Sequence, residues 1–260
     1  MDRCAFNILL KRNVPHILEQ IFFSLDYESF KKCLEVNKYW KEFLRSVLFQ
    51  KKTTFVYEKG IRNDEKKLID TSKAGNADEV GRLLSSGLVD VNCLSIESVR
   101  VYRKIYRVTP VCAAARMGHI NVVKLLINRG AKPNKEDDRG QTALTWASLN
   151  GHQDVVKFLL NKGARPNEAN GNGWTPLHTA SMKGHKEVVK ALLDGGAEVD
   201  SQSIRGETPL HLAVRFGQRD EVQLFLDKGA DPDKATLAGF TPLSIAQRKG
   251  REDLVQLLRG

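Results

Sequence analysis

Histidine and cysteine are the residue types here best suited to acid–base, metal-binding or nucleophilic chemistry, and the 260-residue chain holds six of the first and four of the second. Five of the histidines fall into two series. His119, His152 and His185 each follow a glycine at intervals of 33, and His178 and His211 close two copies of Thr-Pro-Leu-His, again 33 apart. Catalysis and metal ligation need unlike groups to converge on one point. No Ser/His/Asp or Cys/His arrangement, paired-carboxylate constellation or phosphate-binding glycine loop stands outside this periodicity. The histidines are therefore read as structural. Cys4, Cys33, Cys93 and Cys112 lie scattered, with no CxxC and no close histidine, so neither a zinc site nor a disulfide framework is expected and a reducing compartment fits. The expectation is a chain with no catalytic residue, no metal and no cofactor.

The elements that carry these residues repeat with them. TPVCAAARMGHINVVKLLINRGAKPNKEDDRGQ begins at Thr109, and related blocks begin at Thr142, Thr175, Thr208 and Thr241. Glycine recurs at Gly118, Gly151, Gly184, Gly217 and Gly250, and again at Gly140, Gly173, Gly206 and Gly239. Each threonine is placed to cap free backbone N–H groups, and Pro176, Pro209 and Pro242 occupy the first helical position, where a missing donor costs nothing. After the turn glycine, Asp154 or Glu187 opens a second helix beside the positive end of its dipole. VVKLLI, VVKFLL and VVKALL give that helix an apolar face at i, i+3, i+4 spacing. Gly130, Gly163 and Gly196 then end it in a left-handed turn, and a polar stretch with a further glycine forms a hairpin-like finger.

Period, TPLHxA and the Gly-Ala pairs at Gly130, Gly163, Gly196 and Gly229 together resemble the ankyrin repeat family. The expected repeats are 109–141, 142–174, 175–207, 208–240 and 241–260, preceded by a degenerate one at 66–108 whose Gly75 and Gly87 stand 43 residues before their counterparts. That first repeat carries about ten extra residues, among them VRVYRKIYRV (99–108). Its arginines and tyrosines could contact phosphates and stack on bases, but a finger that pairs with itself or reaches toward a protein partner is the stronger reading.

The resemblance implies a rigid concave surface that binds protein, faced by finger tips and by the ends of the first helices. Mapped onto this chain, the face includes Arg116, Met117, Leu149, Asn150, Met182, Lys183, Arg215, Phe216, Arg248 and Lys249, with Arg139, Trp174, Arg205 and Phe240 near the fingers. These residues are mostly basic and apolar, so an acidic segment with one or two apolar anchors is the expected substrate, with Trp174, Phe216 and Phe240 as anchoring contacts. Trp146 is read as filling the space between first helices.

Ahead of the repeats, NVPHILEQIFFSLD (13–26) begins a separate apolar unit. Ile17, Leu18, Ile21, Phe22 and Leu25 fall on helical spacing, and Phe30, Leu34, Val36, Tyr39, Trp40 and Phe43 follow, which implies about three short helices. A unit of about 40 residues is marginal alone and wants a partner. Val14-Pro15, Ile17-Leu18, Ile21-Phe22, Leu25-Asp26, Val36 and Trp40 resemble the F-box pattern, although valine replaces its first leucine and the acidic residue after the proline is absent. That resemblance implies docking on the Skp adaptor of a cullin-RING ubiquitin ligase through Pro15, Leu18, Ile21, Phe22 and Leu25, with Val36 and Trp40 between core and interface. The alternative is an amino-terminal cap over the first repeat.

The fold class expected is all-α: an F-box at 10–48, a charged and partly helical connector at 49–65, and an ankyrin solenoid at 66–260. The net charge of +10 alone would admit nucleic acid or a membrane surface, but basic and acidic residues alternate along the chain, so neither is the expected partner. No apolar run reaches the roughly 20 residues that span a bilayer, and the reading is an intracellular protein, cytoplasmic or nuclear. Two functions follow, a substrate receptor of a Skp-cullin-F-box ligase or a ligase-independent ankyrin scaffold.

Overall fold

Threonine at the head of each block begins a helix because its hydroxyl can accept a backbone N–H that the helix itself leaves without a partner. In the computed structural model, which describes residues 55–87, 89–96 and 107–259, Thr109, Thr142, Thr208 and Thr241 accept the N–H of Cys112, Thr145, His211 and Ser244 in this way. The helices headed by these threonines and by Thr175 are α3 (Pro110–Met117), α5 (Ala143–Leu149), α7 (Pro176–Lys183), α9 (Pro209–Phe216) and α11 (Pro242–Arg248). Each is followed after a short turn by a second helix: α4 (Ile120–Asn128), α6 (Gln153–Asn161), α8 (Lys186–Asp194), α10 (Arg219–Asp227) and α12 (Glu252–Arg259). The first repeat supplies α1 (Phe55–Ala74) and α2 (Ala77–Ser85), so twelve helices lie among the described residues.

Contacts divide the chain into two units, residues 1–64 with 82–89 and residues 65–81 with 90–260. In the first, residues 55–64 and 82–85 are helical, and Ser86 Oγ–H in the turn that follows donates to Leu83 O at 2.9 Å. In the second, first helices pack on first helices in chain order from α3 to α11, and second helices pack on second helices from α4 to α12. The inner row closes tightly because Ala114, Ala147, Ala180, Ala213 and Ala246, one per repeat, are all fully buried and keep side-chain bulk out of the contact. Val122, Val155, Val188 and their neighbours Val123, Val156 and Val189 fill the space between the rows.

The turn between the two helices needs glycine for two reasons. Gly151 has φ 77, a left-handed value that disfavours a side chain, and a Cβ there would stand 2.7 Å from His185 Nδ1. The fingers are tight turns rather than ladders: Asp137 N–H donates to Gln141 O at 2.9 Å, and the same closure recurs from Asn170 to Trp174, Ser203 to Glu207 and Thr236 to Phe240. The finger of the first repeat differs. Strands β1 (Ser95–Ile96) and β2 (Arg107–Val108) pair antiparallel, Ser95 opposite Val108, so this longer finger pairs with itself at its base. Residues 97–106 lie outside the described residues, as do 1–54, which hold the F-box-like motif. Helix α1 runs without a break across residues 65 and 66, and the charged connector is helical from Phe55 onward.

Candidate protein-binding face

Two kinds of histidine hold the face together. His178 and His211 sit at the third helical position, and their Nδ1 atoms accept the N–H of Thr175 and Thr208 at 3.2 and 3.1 Å. That acceptance fixes the proton on Nε2, which donates to Glu207 O and Phe240 O, each at 3.0 Å, on the next finger. Both ring nitrogens are engaged, and burial lowers the pKa of each ring, since a charged imidazole would lose its water and face an N–H with another N–H. The second series bridges repeats differently: Nε2 of His119, His152 and His185 lies 3.0, 3.0 and 3.2 Å from the carbonyls of Lys73, Arg116 and Leu149 at the end of the preceding first helix.

Cys112 is buried under the same surface, its thiol pushed up to about 12 by loss of solvent, and burial raises Cys93 as well. Neither supplies a thiolate at neutral pH. Cys4 and Cys33 lie outside the described residues, and among the described residues no group of three or more His, Cys, Asp or Glu is placed to hold a metal. No helix among them is long and apolar enough to cross a membrane.

The candidate binding residues divide into groups that the sequence does not show. Arg116 at the end of α3 and Arg139 on the neighbouring finger both lie over the ring of Trp146, at 5.5 and 5.9 Å from its centroid. Trp146 does not fill the space between first helices as its equivalents Ala113, Thr179 and Leu212 do; it is only partly buried. Its indole N–H donates to Asp137 Oδ2 at 2.8 Å, and the other oxygen of that buried carboxylate accepts the N–H groups of Arg139 and Gln141. A tryptophan too large for the inner row is thus turned toward the face and pinned there.

Further along, Arg215 does not present a bare charge. Its guanidinium forms an ion pair with Glu207, which is buried, so the cation expected to meet an acidic substrate is matched from within. Arg248 lies 4.6 Å over the ring of Phe240 and forms a second cation–aromatic unit. Trp174 stacks at 6.4 Å on His178 and is partly buried, as are Leu149 and Met182. Lys183, Arg205, Phe216 and Lys249 are exposed beside these groups, with Met117 and Asn150. The adaptor-binding candidates Pro15, Leu18, Ile21, Phe22, Leu25, Val36 and Trp40 all lie outside the described residues.

Two residues of this face escape sequence reading. Ile204 and Leu237 occupy the same place in consecutive fingers, and they are 63% and 82% exposed. Their backbones are what the fold holds: Ile204 N–H donates to Asn172 O and Leu237 N–H to Arg205 O on the preceding finger, which sends the side chains outward. The signal was present, since the equivalents in earlier repeats are Asp138 and Gly171, and two apolar residues in a turn position are unusual for a solvated tip.

Comparison with known families covers this unit. A model of ankyrin repeats, built on three copies, matches four overlapping stretches, residues 68–170, 111–203, 166–236 and 195–260. No F-box model matches the chain. A search of curated proteins finds no match. With stacked helix pairs, left-handed glycine turns and family matches that run from residue 68 to residue 260, the chain belongs to the ankyrin repeat family, whose arrays are protein-interaction scaffolds.

Proposed function

We propose that this chain is the substrate-recognition subunit of a Skp-cullin-F-box ubiquitin ligase, docking on the Skp adaptor through its amino-terminal segment and holding a protein substrate on the ankyrin face. The observation that carries the reading is the coexistence of the Pro15 to Trp40 pattern with a repeat array whose TPLH histidines are engaged in holding its own repeats together. The mechanism is proximity: a substrate held on the array raises the effective concentration of its lysines near the charged conjugating enzyme. Bond chemistry belongs to the partner enzymes.

A binding titration of the full chain against purified Skp adaptor tests this, beside a variant with Leu18, Ile21 and Phe22 changed to polar residues. Tight binding that the variant loses is the expected result. A folded wild-type chain that does not bind the adaptor overturns it and leaves a ligase-independent ankyrin scaffold, the reading favoured by family matches that begin only at residue 68.

A further inference from the structure

We infer that the fingers closing from Ser203 to Glu207 and from Thr236 to Phe240 grip a protein segment by two apolar side chains with a carboxylate between them. This refinement rests on the ankyrin face being the substrate-binding element proposed above. Its starting point is Ile204 and Leu237, 63% and 82% exposed on consecutive tips. Keeping two large aliphatic side chains in water costs free energy that a partner recovers by covering them. Their positions are fixed in advance. Leu237 N–H donates to Arg205 O at 3.0 Å, and a Cβ on Gly206 would stand 2.8 Å from Leu237 N, so glycine there lets the second tip lie directly on the first. Little ordering remains to be done on binding.

Charge selects the occupant. Arg205 supplies the bond between the tips with its backbone, while its side chain is exposed and has no ion pair or hydrogen bond among the described residues. Arg248, laid over Phe240, and exposed Lys183 and Lys249 continue the same sign along the ends of the first helices. Arg215 adds nothing to it, since buried Glu207 matches its charge. Acidic residues stand back from these tips. The pair flanking the turn residue is Glu136 and Asp138 on the finger of 137–141, but Ala169 and Gly171, Gln202 and Ile204, then Ala235 and Leu237 on the three that follow. Glu198, Asp200, Asp231 and Asp233 belong to the roots of the fingers, where Asp200 and Asp231 accept the backbone N–H groups of Asp231 and Asp233. The tips are one packed-helix step apart, roughly 9 Å, which an extended chain covers in about three residues. The ligand therefore reads apolar, two further residues with an acid among them, then apolar.

Selection from a random library of peptides about 12 residues long against the full chain, with fluorescence anisotropy on those recovered, tests this. Enrichment of that pattern is expected. Ile204→Ser with Leu237→Ser should weaken the recovered peptides by about tenfold or more, and Arg205→Glu should do the same while favouring peptides in which lysine replaces the acid. All three side chains are exposed, so circular dichroism melts of the variants should match wild type. No enrichment, enrichment of another pattern, or affinities unmoved by the variants overturns the inference. So does binding of phosphatidylserine vesicles through the tips in place of peptides, or self-association that Ile204→Ser with Leu237→Ser abolishes. Polar replacement of Leu18, Ile21 and Phe22 is expected to leave peptide affinity unchanged, so failure of the adaptor reading and failure of this one are separable.

Discussion

Replacing Glu221 by valine is expected to stabilise the array. The residue falls in register with Val122, Val155, Val188 and Leu254, all of which are buried between the rows of helices, and it is itself 1% exposed. Neither carboxylate oxygen has a hydrogen-bond partner, and Glu187 on the preceding second helix adds a like charge. Burial first and that neighbour second raise its pKa from 4.5 to about 8. At pH 7 the folded protein therefore keeps a proton that the unfolded chain releases, and the gap of about 2.5 from the ordinary value costs roughly 3 kcal/mol. Glu221→Val removes that cost and adds apolar burial in place of an unpaired acid. At roughly 2–4 °C per kcal/mol for an array of this size, Tm should rise by about 6–12 °C.

The sign of the pH dependence is specific. Because the folded value lies above the unfolded one, the Glu221 penalty is absent below about 4.5, grows as pH rises, and is complete above about 8. Urea unfolding followed by circular dichroism at several pH values should show wild type and variant diverging steadily across that window. Glu221→Gln should gain less, since a buried amide without partners still costs about 1–3 kcal/mol. Equal stability of wild type and Glu221→Val at pH 8, or a difference that does not change with pH, would refute the assignment of this carboxylate as a buried, uncompensated acid.

Further perturbations test the rest of the framework. His178→Ala leaves the Thr175 N–H without its partner and the Glu207 carbonyl with only the Ser203 N–H, severing the bond between repeats, and a loss of about 2–4 kcal/mol is expected in urea titrations. Because burial lowers the pKa of His178 and His211, the unfolded chain takes up protons first, so their contribution is whole above about 6.5 and declines as pH falls below it. Thermal melts of His178→Ala and wild type should therefore converge toward acid pH. Asp200 accepts the N–H of Asp231 but cannot donate, whereas Asn167 and Asn134, one and two repeats earlier, both accept an N–H and donate to a glycine carbonyl. Asp200→Asn should restore a bond to Gly229 O and add about 0.5–1.5 kcal/mol, seen as a higher urea midpoint. Gly151→Ala should cost more than about 1 kcal/mol in the same assay, because it adds a Cβ against His185 at a left-handed φ.

What the sequence determined by itself was everything governed by interactions within a few residues of each other. Threonine caps, first-position prolines, left-handed glycines and the apolar stripe of each second helix are local rules, and repetition at a period of 33 made them unmistakable. The structural role of the histidines was legible for the same reason. Tertiary structure decided the contacts between residues distant in the chain. Which finger carbonyl each TPLH histidine meets lies 29 residues onward, while His152 and His185 reach back 36 and His119 reaches back 46. Neither distance appears in a local pattern. Composition made the face mostly basic and apolar, but stacking the repeats set Glu207 against Arg215, turned Trp146 out beneath two arginines, and left Ile204 and Leu237 exposed at the tips. A side chain's charge is fixed by its type, while the partner that cancels or presents that charge is fixed by how the repeats stack.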